Sequence, residues 1–184
     1  MELDFEQYVK EKTIKRTLEI EGGFKKEATD RGDYTPSGDF KGTKYGISAR
    51  AYPDLDIENI TQAEAIDIYT RDYWDKVILP CYPIEIQPML FDMSINHGVK
   101  RANELLQRSI NVEADGIVGP VTLKEIYKSN LLDLCNERNL FFAEIVAARA
   151  SQSVYIKGWV SRTKKMAKFT EELFPNLLRH NEKI

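Results

Sequence analysis

Apolar positions along this chain recur at helical rather than alternating spacing. Phe5, Tyr8, Val9, Ile14 and Leu18 form an imperfect stripe that predicts a helix from near Asp4 to near Glu21. Gly22-Gly23 ends it, because glycine takes the left-handed conformation common just past a helix. Thr61-Gln62-Ala63-Glu64 is a capping box and opens a helix through Ala65, Ile66, Ile68 and Tyr69 to about Trp74. Pro80 and Pro83 punctuate the connection to a helix from about Ile84 to His97, which carries Ile86, Met89, Leu90, Met93 and Ile95 and stops at Gly98. Another helix holds Ala102, Leu105, Leu106 and Ile110. Asp115-Gly116 reads as a turn, and Pro120 starts a short helix. The longest helical pattern runs from Leu131 to about Ala150, and the last from about Gly158 to Phe174, before Pro175.

Between Phe24 and Ser48 the chain is polar and turn-rich, which predicts a loop or small hairpin. No stretch sustains the alternation that a large sheet needs. The predicted fold class is therefore mainly α, with a small β-hairpin.

Composition narrows the picture. The 184 residues suit one domain, or a compact part with a small appendage. A net charge of −3 does not favour a nucleic-acid partner. No apolar run approaches the ~18 residues of a membrane span, so stable membrane insertion is not expected. The acidic start, Met1 to Glu6, lacks the features of a secretory signal, so synthesis in the cytoplasm is expected, with export by another route. Basic residues cluster at Lys157, Arg162, Lys164, Lys165 and Lys168; a solvated helix face is the plain reading and a patch for an anionic polymer the sharper one. Cys81 and Cys135 match no metal or redox spacing, and with only His97 and His180 a structural zinc site is not expected. No metal or organic cofactor is implied.

The chemistry concentrates near the first helix end. Glu21 precedes two glycines, Asp30 follows nine positions later, and Thr43-Lys44-Tyr45-Gly46-Ile47-Ser48 supplies a hydroxyl in a Gly-containing loop. Two carboxylates and a hydroxyl are what glycosidic hydrolysis needs: a proton for the leaving oxygen, and a base or nucleophile for the sugar carbon. At a helix C-terminus the macrodipole disfavours an anion, which helps keep Glu21 protonated. On chemistry alone, Glu21 could equally be a polar residue at a helix end, and Asp30 a turn former before Gly32.

With Glu21-Gly-Gly-Phe, Asp30 and Thr43-Lys-Tyr-Gly-Ile in hand, the chain resembles glycoside hydrolase family 108. These are N-acetylmuramidases, many of them phage endolysins or secretion-activator-like proteins, with a lysozyme-like helical fold. Ala51-Tyr52-Pro53-Asp54, Asp72-Tyr73-Trp74 and Phe91-Asp92-Met93-Ser94-Ile95-Asn96-His97-Gly98 extend the likeness. From about Arg101, Leu106-Gln107-Arg108, Asp115-Gly116 and Gly119-Pro120-Val121-Thr122 resemble the peptidoglycan-binding module that follows in this family.

The resemblance implies Glu21 as catalytic acid and Asp30 as its acidic partner. The family's segment before Tyr-Gly-Ile is shorter than here. Thr43 keeps the spacing to Tyr45, Thr35 keeps the spacing to Glu21, and local context favours Thr43; Asp33 is a reserve for the second carboxylate. Tyr45, Asn96 and His97 are candidate glycan contacts, against plain readings as a core aromatic and a helix end. The implied substrate is peptidoglycan glycan strands, cut between N-acetylmuramic acid and N-acetylglucosamine, with a holin or other export system as a further partner. Inverting and retaining chemistry both stay open. A lytic transglycosylase and a non-enzymatic wall-binding protein are the rivals. Ser161-x-x-Lys164 lacks the other elements of an acyl-transfer site. The expected organisation is a catalytic region over 1–99 and a binding-like region over 100–184, packed as one unit because the Leu131–Ala150 pattern is apolar on much of its circumference.

Overall fold

The computed structural model describes residues 5–175, so His180 lies outside the described residues. The chain divides into two compact units, residues 1–72 and 73–184.

In the first unit, helix α1 (Phe5–Glu21) buries Val9, Thr13, Ile14, Thr17 and Leu18 and packs on α2 (Gln62–Tyr69). The buried face differs from the apolar stripe. Phe5 and Tyr8 are 52% and 36% exposed, their rings stacked 6.1 Å apart, while Thr13 and Thr17 complete the core side. Thr13 fits there because its hydroxyl donates to the Val9 carbonyl one turn back, at 2.7 Å. The capping box forms as expected: the Glu64 backbone N–H donates to the Thr61 hydroxyl at 3.2 Å, and Glu64 accepts from the Thr61 N–H at 2.8 Å. The bonds that the Glu64 carboxyl accepts, from the Thr61 N–H and then from the Thr61 hydroxyl at 2.7 Å, hold it below its usual range. Helix α2 runs on through a wider turn over Thr70–Trp74 into the short α3 (Asp75–Val77).

The sheet is one antiparallel hairpin, β1 (Thr43–Lys44) with β2 (Ile47–Ser48), pairing Thr43 with Ser48 and Lys44 with Ile47.

The second unit is helical. Its centre is α4 (Gln87–His97), buried from Gln87 to Ser94. Around it pack α5 (Val99–Ser109), α7 (Leu131–Ala148) and α8 (Ile156–Leu173), with the short α6 (Pro120–Glu125) beyond α5. Asp92, fully buried on α4, is held from two other helices. Arg138 of α7 places Nη1 2.7 Å from its Oδ2, and Arg162 of α8 places Nη2 2.9 Å from its Oδ1. Arg162 therefore leaves the basic patch to which the sequence assigned it.

The Asp115-Gly116 turn is built on Gln107. The Gln107 side-chain amide donates to Asp115 at 2.8 Å, to the Ile117 carbonyl at 3.0 Å and to the Thr122 hydroxyl at 3.1 Å, and it accepts from the Gly116 N–H at 2.8 Å. Gly116 has φ 78°, and a side chain there would fall 2.6 Å from Lys100 Cγ, so only glycine fits. Most polar residues of that motif thus serve the loop's own structure.

His97, at the end of α4, packs its ring edge against Phe141 and Phe142 of α7, at 5.2 and 5.5 Å between centroids. Burial, helped by the Arg138 charge, lowers its pKa to about 4 from the usual 6.5. The folded protein therefore resists a proton that the unfolded chain accepts below pH 6.5. Stability should fall as pH drops from 6.5 toward 4 and level off below that. His97→Phe should flatten this part of the profile. Urea midpoints of both proteins at pH 7 and pH 5 test it: a difference between them that does not change with pH would contradict a depressed His97.

Candidate active site

Glu21 is the last residue of α1. Gly22 follows at φ 81°, its N–H bonded to the Leu18 carbonyl at 3.0 Å, so the chain leaves the helix at the carboxylate. The Gly22 carbonyl then accepts the Tyr45 N–H at 3.0 Å, which ties the helix end to the hairpin turn. That turn is Tyr45-Gly46, with φ 53° and 74°. Two successive left-handed residues give the turn type whose twist suits a two-residue hairpin. For tyrosine this conformation costs ~1–2 kcal/mol. It is held by the Tyr69 hydroxyl, which donates to the Tyr45 carbonyl at 2.8 Å.

Gly46 explains why the turn sits where it does. A Cβ there would fall 2.6 Å from the Tyr69 hydroxyl oxygen, 3.2 Å from Glu21 Cγ and 3.3 Å from Glu21 Oε2. Bare turn backbone thus lies against the half-buried Glu21 side chain, with Tyr69 on the same side. Glycine is required twice over, for its conformation and for its missing side chain.

The other acidic candidates differ in kind. Asp30 is exposed and caps the turn Arg31–Asp33, accepting the Gly32 N–H at 2.7 Å. Asp33 is only 2% exposed. Its Oδ1 accepts the Thr43 hydroxyl and its Oδ2 the Glu27 N–H, both at 2.6 Å. Thr43 also pairs by backbone with Lys25, four residues beyond Glu21, at 2.7 and 2.8 Å. Thr35 is 4% exposed and closes a local turn with Ser37 and Asp39. Of the two hydroxyls, Thr43 therefore lies in the strand network that starts at Glu21.

Tyr45 is half-buried, with Lys44 Nζ 5.7 Å from its ring centre. Asn96 and His97 belong to the second unit. Asn96 is exposed, and its amide donates to the Asp92 carbonyl at 2.7 Å, at the end of its own helix. The structure thus gathers Glu21, Thr43 and Tyr45 around one hairpin, with Asp30 on the loop that Asp33 anchors to it. One contributor escaped the sequence: Tyr69 reads there as an ordinary helix core position, and nothing marks its hydroxyl. Asp33 is the sequence's reserve for the second carboxylate, but its burial against Thr43, ten residues on, is not legible there.

Comparison with known proteins gives a consistent picture. Residues 14–98 match the family model described as glycosyl hydrolase 108, and residues 98–164 match one described as a predicted peptidoglycan domain. Among solved structures, SagA of Brucella abortus is similar in fold, with a TM-score of 0.71 and 24% identity over 91% of this chain and 96% of that one. No curated protein matches.

The Thr43–Asp33 bond makes a separable prediction. Thr43→Val leaves a buried carboxylate oxygen without its donor and should cost ~1–3 kcal/mol of stability. Thr43→Ser, which keeps the hydroxyl, should cost clearly less. Urea unfolding of the two variants decides it, and equal stability of Val and Ser would remove the bond from the account.

Proposed function

We propose that this chain, whose residues 14–98 match the glycosyl hydrolase 108 family, works as a muramidase in which Glu21 is the proton donor, with Asp30 and Thr43 acting at the sugar carbon. The family's activity makes the chain a peptidoglycan hydrolase that cuts the β-1,4 bond between N-acetylmuramic acid and N-acetylglucosamine. The second family match, over residues 98–164, agrees with peptidoglycan strands as the substrate.

The observation that carries the assignment is the close seat of the Glu21 carboxyl against Gly46. A general acid must be held in one place, and it works best when its proton is retained near neutral pH. The turn backbone and Tyr69 supply the position. As the glycosidic oxygen leaves, Glu21 transfers its proton to it, and positive charge develops on the sugar ring. In this proposal Asp30, exposed at its loop, stabilises that charge or activates a water. Asp33 is too buried for either role. Instead, by accepting the Thr43 hydroxyl proton, Asp33 fixes that hydroxyl so that its lone pairs can accept from a water and orient it. Tyr45 is the residue of this unit that we place against the glycan; Asn96 and His97, in the second unit, remain candidate glycan contacts by the sequence resemblance alone. We extend the proposal to bacteriolytic, endolysin-like use of the activity, with a holin or other export system bringing the enzyme from the cytoplasm to the wall; this extension rests on the family resemblance of the sequence alone.

Glu21→Gln keeps size and hydrogen bonding but loses the transferable proton. Activity on purified peptidoglycan should fall by ~10²–10⁴-fold or more with little change in melting temperature. Borohydride reduction of the wild-type digest should yield reduced muramic acid. Anhydro-muramic products would mean a transglycosylase, reduced glucosamine ends a glucosaminidase, and no clearing in a zymogram a non-enzymatic protein. Near-normal clearance by Glu21→Gln would place the acid elsewhere.

A further inference from the structure

From residue 145 to residue 170 the chain contains no aspartate or glutamate and six basic residues, although the whole protein is net negative at −3. This stretch is the end of α7, the turn Ala150–Tyr155 and most of α8. It forms a helical hairpin. Arg138 and Arg162 meet on Asp92, and nearer the turn the Phe142 and Trp159 rings pack tilted, 5.3 Å between centroids. Beyond Phe142 the hairpin has no core of its own, and residues 143–160 include none that is buried. Val154 is 75% exposed and Tyr155, stacked on Trp159, is 55% exposed.

Arg162 is engaged with Asp92, but Arg149, Lys157, Lys164, Lys165 and Lys168 are exposed. Spacings of seven and four put Lys157, Lys164 and Lys168 on one side of α8. Lys168 shares its charge with Glu172 at 3.9 Å, just past the acid-free stretch. A helix face that is merely solvated usually mixes both signs and has no need of an apolar tip. Here an aliphatic and an aromatic side chain project from a turn flanked by cations. That is the chemistry of a surface that is anionic outside and apolar just beneath.

We infer that the α7–α8 hairpin tip docks on anionic phospholipid bilayers, with Val154 and Tyr155 entering the headgroup region and Arg149 and the α8 lysines meeting lipid phosphates. Among the described residues no helix is long and apolar enough to cross a membrane, so the contact is with the surface. A soluble anionic polymer would engage the lysines alone. The exposed Val154 and Tyr155 favour the bilayer. The inference is independent of the Glu21 chemistry.

The test is co-sedimentation of the full chain with vesicles of phosphatidylcholine alone or mixed with phosphatidylglycerol. Binding should require phosphatidylglycerol and weaken as salt rises. The exposed-site double variant Val154→Asp/Tyr155→Asp should bind about tenfold more weakly, with its melting temperature unchanged. Tyr155→Trp should show a blue-shifted emission component on anionic vesicles only. Failure of the wild type to bind phosphatidylglycerol vesicles overturns the inference. So does retention on a soluble poly(glycerol phosphate) combined with full vesicle binding by the double variant, which would mark a polymer site instead.

Discussion

A buried aspartate sets the terms for the second unit. Asp92 has no contact with water, and a carboxylate in that position is tolerable only when paired and hydrogen-bonded. Arg138 and Arg162 meet the requirement from α7 and α8, which fixes both helices against α4. Removing one partner of such a cluster typically costs ~3–5 kcal/mol, against total stabilities of ~5–15 kcal/mol for a domain. Asp92 lies within the glycosyl hydrolase 108 match, and both arginines lie within the peptidoglycan-domain match. The boundary between the two family segments, at residue 98, therefore runs through one packed core. His97 sits on that boundary, and the same burial and positive charge keep its imidazole neutral.

The proposed site at Glu21 depends on a different kind of constraint, local and steric. A helix end, a glycine that admits no side chain and a tyrosine hydroxyl define where the Glu21 carboxyl can be. Around it, one buried carboxylate organises a loop while an exposed one stays available. Asp33 and Asp30 are three residues apart, yet burial gives them opposite uses. The short hairpin, with strands of two residues each, holds its turn against Glu21.

Features set by neighbours in the chain were legible in advance. The Thr61 capping box, the stop at Gly22, the stop at Gly98 and the long apolar pattern after Leu131 all follow from contacts within a few residues. Features set by distant partners were not. The stripe of α1 was misread at Phe5 and Tyr8, because buried Thr13 and Thr17 carry polar atoms that a hydrophobic pattern discounts. Arg162 looked like one more surface cation, because its partner Asp92 is 70 residues away. Glu21 and Thr43 could be named from motif order, but the seat that holds Glu21 needed Tyr69 and Gly46, which no spacing connects.

The dependence of α4 on the helices that follow it is tested most directly by expressing residues 1–99 alone and measuring amide hydrogen exchange. Lacking Arg138 and Arg162, segment 87–97 should exchange without protection, and cleavage of peptidoglycan should fall well below that of the full chain. Protection of 87–97 as strong as in the full chain, together with undiminished cleavage, would contradict the account.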